Sequence, residues 1–389
     1  MSLRVRGSGT AVLFGALASL GCDGFTEVVD PAPRPLADGS GGGGSDATTN
    51  ASGVGPETAT SSGGISTGAG GTSTGAGGGS APLPCDPNGI CVLAAGQHAP
   101  RDVASDGTRV FWIDGPTNAA FDDGAVRWRD VDGPVFQPAT LVEGQLDPIV
   151  LTMSGTRVVW SNLGKNDGFT GDGNIAWGSV DQPGMTTIVR DQVSAYSMVV
   201  DDQIYWTELG NGDGSISRCE LDACVPEVLY TGPGMPMALA KSGGTLVWAS
   251  FNGQQGSSIR ACDADACVPW TVSPSGTGPI AADGTDVYFV DGGDIVRCSL
   301  TGCAGPAPRV AIMIAPPVAM VVDATTVYFA DFTMGGPASI KRCQKSGCDA
   351  SWQFVAVGPD VQAPYYLSQD ADHVFWTDAT LGTVTMARK

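Results

Sequence analysis

Charge and histidine are what this chain has least of. Only 15% of its 389 residues are charged, and 40 Asp and Glu against 20 Lys and Arg leave a formal net charge of -20. Lysine occurs only at Lys165, Lys241, Lys341, Lys345 and Lys389, and no basic run is present. Phosphate binding draws on clustered Lys and Arg, so nucleic acid is excluded as a partner. Two histidines, His98 and His373, leave little for imidazole catalysis or histidine-rich metal sites. No serine sits in a G-x-S-x-G elbow, and neither a P-loop nor H-E-x-x-H occurs. No stretch keeps a helical apolar period over about ten residues, so helices are not expected. Glycine, by contrast, fills 56 positions. The length suits two or three average domains, or one large all-β domain with a tail.

Residues 1–21 read as an export signal. Arg4 and Arg6 form a positive start, and residues 11–20 form a short apolar segment. At about ten residues it falls short of the ~20 that a membrane span takes. It ends in Ala18-Ser19-Leu20-Gly21-Cys22. Small residues directly before a cysteine, just after such a segment, resemble the lipobox of bacterial lipoproteins. Ser19 stands where that family prefers Leu. The resemblance implies lipidation of Cys22 and an anchor in a bacterial membrane, at the outer membrane or cell surface. An ordinary signal peptide with a chance cysteine is the alternative. Residues 22–84 are Gly-, Ser- and Thr-rich, with almost no large apolar side chain after Phe25. Such a composition cannot offset chain entropy by burial, so a disordered tether is predicted, spanning roughly 40–50 Å. No domain precedes it, which argues against an interdomain linker.

From residue 85 to the end one pattern recurs. An apolar strand is followed by a turn, an aromatic strand, a Gly- and Asp-rich loop and a strand of Ile-x-x-Cys type. The aligned aromatics are Trp112, Trp160, Trp206, Trp248, Phe289, Phe329 and Trp376, 40–48 residues apart. Repeats of this length with several short strands are the mark of a propeller. In the third repeat the four strands are predicted near 197–200, 203–208, 215–219 and 225–230. The aromatic strands are apolar on both faces, as a blade packed between two others requires.

Tyr205-Trp206-Thr207-Glu208 and Phe375-Trp376-Thr377-Asp378 resemble the YWTD repeats of the LDL-receptor-like β-propellers. Ile216-Ser217-Arg218, Ile295-Val296-Arg297 and Ile340-Lys341-Arg342 match that family's Ile-x-Arg element. The resemblance implies the architecture. It does not transfer ligand-binding residues, because that family has six blades, this chain has seven units, and several units lack the Thr-Asp pair.

The last unit stops after its third strand. Residues 91–97 look like the end of a blade, so an N-terminal strand is predicted to close the last blade and remove the open sheet edge. The expected fold is an all-β, seven-bladed propeller over 85–389. Eight incomplete blades, or six with an insertion, are the alternatives.

Cys22 stands alone among eleven cysteines. The others form five neighbouring pairs: Cys85/Cys91, Cys219/Cys224, Cys262/Cys267, Cys298/Cys303 and Cys343/Cys348. The last four share one spacing, directly after the third strand of successive repeats. Disulfides across the hairpin of third and fourth strands are expected, each worth roughly 2 kcal/mol by loop entropy. Zinc is the rival, disfavoured by the separate blades and the export signal.

Propeller ligands meet one end of the central channel, where the loops after the aromatic strands and the blade connections lie. The longest such loops are 114–124 and 162–173. Asp122, Asp123, Asp167 and Asp172 there can offer oxygen to Ca²⁺, yet their order matches no calcium loop, and turn chemistry accounts for them as well. No other cofactor is expected. His98, in a blade connection, is a candidate on the same face, and both histidines read as exposed loop residues. These features point to a binding module for an envelope protein, peptide or glycan, touching the membrane only through its lipid. An envelope lyase or hydrolase using acidic loop residues is the alternative, and an assembly factor a third reading.

Overall fold

The computed structural model describes residues 85–389, apart from 119, 134–137, 166–170, 183, 193–194, 210–212, 254–255, 314, 332–337 and 350. The export signal, Cys22, the tether and Asp167 therefore lie outside the described residues. Strand follows strand throughout, with no α-helix among the described residues.

The first strand, β1 (Ile90–Ala94), belongs to the last blade. Blade 1 is β2 (Val103–Ser105), β3 (Arg109–Asp114), β4 (Gly124–Asp130) and β5 (Ala139–Gln145). Blade 2 is β6 (Pro148–Ser154), β7 (Arg157–Asn162), β8 (Gly173–Gly178) and β9 (Met185–Gln192). Blade 3 follows with β10 (Ala195–Val200), β11 (Gln203–Glu208), β12 (Asp213–Glu220) and β13 (Glu227–Pro233). Blade 4 is β14 (Met235–Ser242), β15 (Thr245–Phe251), β16 (Ser257–Asp263) and β17 (Trp270–Ser273). Blade 5 is β18 (Thr277–Asp283), β19 (Asp286–Asp291), β20 (Asp294–Ser299) and β21 (Arg309–Ala311). Blade 6 is β22 (Pro317–Val322), β23 (Thr326–Asp331), β24 (Ser339–Gln344) and β25 (Gln353–Val357). Blade 7 takes β26 (Tyr366–Gln369), β27 (His373–Asp378) and β28 (Thr383–Arg388) from the C-terminus.

Each of these seven antiparallel sheets has four strands, and the seventh runs β26-β27-β28-β1. Ile90 pairs with Ala387, Cys91 with Met386 and Val92 with Thr385. The expected closure is thus present. The strand is shorter than 91–97 because Gly96, at φ 69°, turns the chain off the sheet. The innermost strands touch in a closed cycle, with β26 against β2 completing it.

The aromatic strands explain why the blades pack. Successive side chains of a strand point to opposite faces. In β11, Trp206 enters the core between blades 2 and 3, and Tyr205 the core between blades 3 and 4. In β3, Trp112 faces blade 7 and Phe111 faces blade 2. Seven such clusters, one per interface, take the place of a central core. Trp112, Trp160, Trp206, Trp248 and Trp376 are all fully buried.

A buried indole needs an acceptor, and three interfaces supply it in one way. Trp112 donates to Gln97 Oε1 at 3.0 Å, Trp160 to Gln145 at 2.8 Å and Trp206 to Gln192 at 3.0 Å. Each glutamine ends the outer strand of the preceding blade or follows just after it. Each also donates through Nε2 to the carbonyl two residues back. The residue before it, Gly96, Gly144 or Asp191, has φ between 58° and 69°. Trp248 and Trp376 lack such an acceptor among the described residues.

All five disulfides are formed: Cys85–Cys91, Cys219–Cys224, Cys262–Cys267, Cys298–Cys303 and Cys343–Cys348. The last four bridge the hairpin between third and fourth strands, as expected. Cys219, Cys262, Cys298 and Cys343 sit in or near the end of the third strand, buried in interface cores. Cys224, Cys267, Cys303 and Cys348 lie in the turn before β13, β17, β21 and β25 begin, half-buried against the same cores. The reason is length, since the four residues between the sulfurs are used up in reversing the chain. Each bridge therefore closes a turn and does not cross two facing strands, with Cα separations of 4.9, 4.9, 5.0 and 5.7 Å. Cys85–Cys91 ties the chain just upstream to β1, with Cα atoms 4.0 Å apart. Three scarce lysines also tie neighbouring blades: Lys241 to Asp201, Lys345 to Asp283, and Lys389 to Asp323.

Candidate functional site

An up-and-down blade sends the second-to-third-strand loops and the blade connections to one end of the ring, called here the upper face. The expected candidates on that face are used locally. Asp123 accepts from Thr117 N at 2.8 Å and from the Thr117 hydroxyl, whose bond holds the carboxyl below its usual pKa. Asp122 Oδ1 accepts from Asn118 Nδ2 at 2.8 Å, and Asp172 from the Lys165 amide at 3.0 Å. Among the described residues no three His, Cys, Asp or Glu side chains converge as metal ligands. His98 is exposed, and its backbone does the bonding: its amide donates to Asp114 Oδ1 at 2.7 Å, and its carbonyl accepts from Gly115 N at 2.8 Å. His373 differs from expectation. It opens β27 with a side chain only 13% exposed, and Nδ1 lies 3.4 Å from Asp370 Oδ1. It lines a cleft of about 430 Å³ with Cys85, Asp132 and Arg388 on the lower face.

The chemistry at the channel mouth comes from residues the repeat pattern did not single out. Each inner strand starts at the upper face. The position just before the residue opposite the aligned aromatic is Val150 in blade 2, Ser197 in blade 3, Ala238 in blade 4 and Ala319 in blade 6. In blade 1 it is Asp102 and in blade 7 Tyr366. The ring is therefore mainly apolar or small, with a carboxylate and a phenol in adjoining blades.

Asp102 Oδ1 accepts from Val103 N at 2.9 Å, and Oδ2 from Leu151 N of blade 2 at 2.9 Å. Ser197 repeats this at the next-but-one interface, where its hydroxyl oxygen accepts from Leu239 N at 3.0 Å. The acceptor thus stitches neighbouring inner strands along the channel wall. Burial raises the Asp102 carboxyl to about 7, against the pull of the two amide bonds. The residue as a whole is half-buried and not sealed off. The two facts agree for a group lining a narrow channel, wetted locally and remote from bulk solvent.

Arg101, the adjacent residue, does not pair with Asp102. Its Nη1 donates to Asp147 Oδ1 at 2.6 Å and to the Pro148 carbonyl at 2.7 Å, both at the entry to blade 2. Asp147 holds φ 53° in that connection, a conformation aspartate tolerates. Tyr196 of blade 3 and Tyr366 of blade 7 complete the group. Burial raises both phenols, and Tyr366 also feels Tyr196, Arg101, Asp102 and Asp147 electrostatically. Among the described residues neither hydroxyl has a hydrogen-bond partner, and neither is sealed from water.

No protein-family model matches the chain, and no curated protein matches it. Solved structures do. The β-propeller domain of the Trilobed protease from Pyrococcus furiosus aligns with 74% of this chain and 94% of its own, at 9% identity and TM-score 0.55. That domain has an open velcro topology, whereas β1 closes the ring here. A chain of the Mitotic Checkpoint Complex aligns over 79% of this chain and 96% of its own, at 12% identity and TM-score 0.56. A prolyl endopeptidase aligns over 76% of this chain but only 47% of its own, at 13% identity and TM-score 0.53. At these identities the likeness establishes the propeller fold.

Proposed function

We propose that this chain is an exported, lipid-anchored propeller of a bacterial envelope that binds a protein, peptide or glycan partner at its channel mouth. One observation carries the reading. Among the described residues, the inner strands there carry a carboxylate without a paired cation, and a phenol with an unpaired hydroxyl that feels it electrostatically, in a ring otherwise apolar or small. A few convergent polar groups in mostly apolar surroundings are what ligand sites share. The similar chain from the Mitotic Checkpoint Complex works within an assembly, which supports binding as a use of this fold.

Hydrolysis or lyase chemistry is the second reading, favoured by one fact. A carboxyl near 7 is half-ionised at neutral pH and suited to general acid–base work. It is a single group, since among the described residues no second carboxyl is raised. The test is a capture experiment from envelope extract, run beside a turnover assay on glycosides and esters. A partner retained by the wild type and lost on Asp102→Asn supports binding. Turnover lost on the same substitution, with no partner captured, replaces it with the enzyme.

A further inference from the structure

We propose that the channel mouth seats an alkylammonium or guanidinium group, the end of a partner's lysine or arginine side chain, against Asp102 and between the Tyr196 and Tyr366 phenols. This rests on the binding reading above and names the chemistry of its ligand.

The argument starts from what Asp102 lacks. Each of its oxygens accepts one backbone N–H, at 2.9 Å in both cases, and each keeps a further acceptor site. No cation pairs with it among the described residues. The nearest candidate, Arg101, is held by Asp147 and the Pro148 carbonyl. A carboxylate in a poorly solvated channel without a counter-charge is costly in its ionised form. That cost shows in its raised titration point. An incoming cation supplies the missing partner.

The neighbours fit a cation and no other charge. Tyr366 in β26 and Tyr196 in β10 lie within electrostatic reach of Arg101, and Tyr366 also of Asp102; a tyrosine ring attracts ammonium and guanidinium groups, and its hydroxyl oxygen can accept hydrogen bonds. Arg101 is neutralised by Asp147, so the entry to blade 2 brings no free positive charge. Val150, Ala238 and Ala319, at the matching inner-strand position of blades 2, 4 and 6, pack toward the interface cores and bring no charge to the ring. An anion would meet Asp102 and two phenols there. Asp122 and Asp123, exposed on the same face, add to the field that draws cations inward.

Isothermal titration of the purified protein with N-acetyl-lysine amide and with butylguanidinium tests this. Binding is expected at pH 8 and roughly 30-fold weaker at pH 5.5, because only the ionised fraction of Asp102 is competent. At pH 7 about half a proton should be released per cation bound, read from the heats in two buffers of different ionisation enthalpy. Asp102→Asn should abolish the proton release and weaken binding at least about tenfold. Tyr366→Leu should weaken binding while leaving the proton release of residual binding intact, and Tyr366→Phe should retain most of it. Spermidine and an alkyl glucoside are the comparison ligands. Glucoside binding equal to that of the cations overturns the proposal, as does a cation affinity independent of pH or of Asp102→Asn. Spermidine binding with no competition by lysine amide overturns the side-chain origin. If capture from envelope extract succeeds and neither cation competes, this inference fails and the binding reading stands. If the cations bind as stated and no partner is captured, the cation site stands, and its assignment to a partner's side chain fails together with the reading of a macromolecular partner.

Discussion

Asp102 sets how stability should depend on pH at the scale of one residue. Its folded-state value near 7 lies above the ordinary aspartate range, so the folded chain holds a proton that the unfolded chain releases. The resulting stabilisation is complete below about pH 4 and lost as pH rises through 7. Asp201 and Asp323 work in the opposite sense. Burial opposes their ionisation, but bonds from Lys241 and from the Thr325 and Thr326 amides outweigh it and lower both, so their contribution disappears in acid. Asp102→Asn removes only the first effect. Compared with the wild type, the variant should gain about 2.5 kcal/mol between pH 5 and pH 8, read from denaturation midpoints at the two values. Equal differences at both pH values would contradict a raised carboxyl. The aromatic positions were readable from the sequence because a Trp at regular spacing has few other uses. Asp102 was not, because an acid before a short strand looks like turn chemistry. Aligning the repeats on the tryptophan and reading the inner-strand position upstream would have exposed Asp102 and Tyr366 as exceptions among Val150, Ala238 and Ala319.

Elements meet through their ends, and glutamine supplies the contact in three blades. Gln145 is buried and accepts from both Trp160 Nε1 and Asn162 Nδ2, at 2.8 and 3.1 Å. Gln145→Leu strands the Trp160 donor and leaves Asn162 Nδ2 only its bond to Asn174, and should cost about 2 kcal/mol in chemical denaturation. Trp248 provides the contrast, since its indole N–H has no acceptor among the described residues. Trp248→Phe should therefore cost about 1 kcal/mol less than Trp160→Phe, which also gives up the bond to Gln145. The glutamines were visible as letters, 14 or 15 residues before each tryptophan. Their meaning depends on the left-handed residue before them, which a strand-and-turn reading does not supply. The cysteine spacing carried the pairing directly, since neighbours this close have no nearer rivals. It carried the start of the fourth strand less well, since β13 begins at Glu227 and not at 225, because a regular spacing after a strand does not say where the next strand resumes. Replacing Cys262 and Cys267 together by Ala should cost roughly 2 kcal/mol and leave the other interfaces unaffected, measured as a midpoint shift without a change in slope.

The whole molecule depends on β1. Cys91, Leu93 and Ala94 are core residues of the interface between blades 7 and 1, and the Leu93 carbonyl accepts from the buried Arg129 guanidinium. A chain beginning at residue 96 would lose these contacts and leave β28 as an unpaired edge. Light scattering should then find oligomers or aggregate where the longer chain is monodisperse, and a monomer of unchanged stability would contradict the role given to this strand. Closure was readable because one repeat was a strand short and a strand without a repeat stood at the other end. The direction of that strand has a further result. Ile90 pairs near the C-terminal end of β28, on the side of the Cys85–Cys91 bridge and the His373 cleft, and the chain reaches the opposite side only at Gln97. The polypeptide thus enters the ring at Cys85 from the end away from Asp102, so a label attached at that entry and a ligand beside Asp102 would sit at opposite mouths.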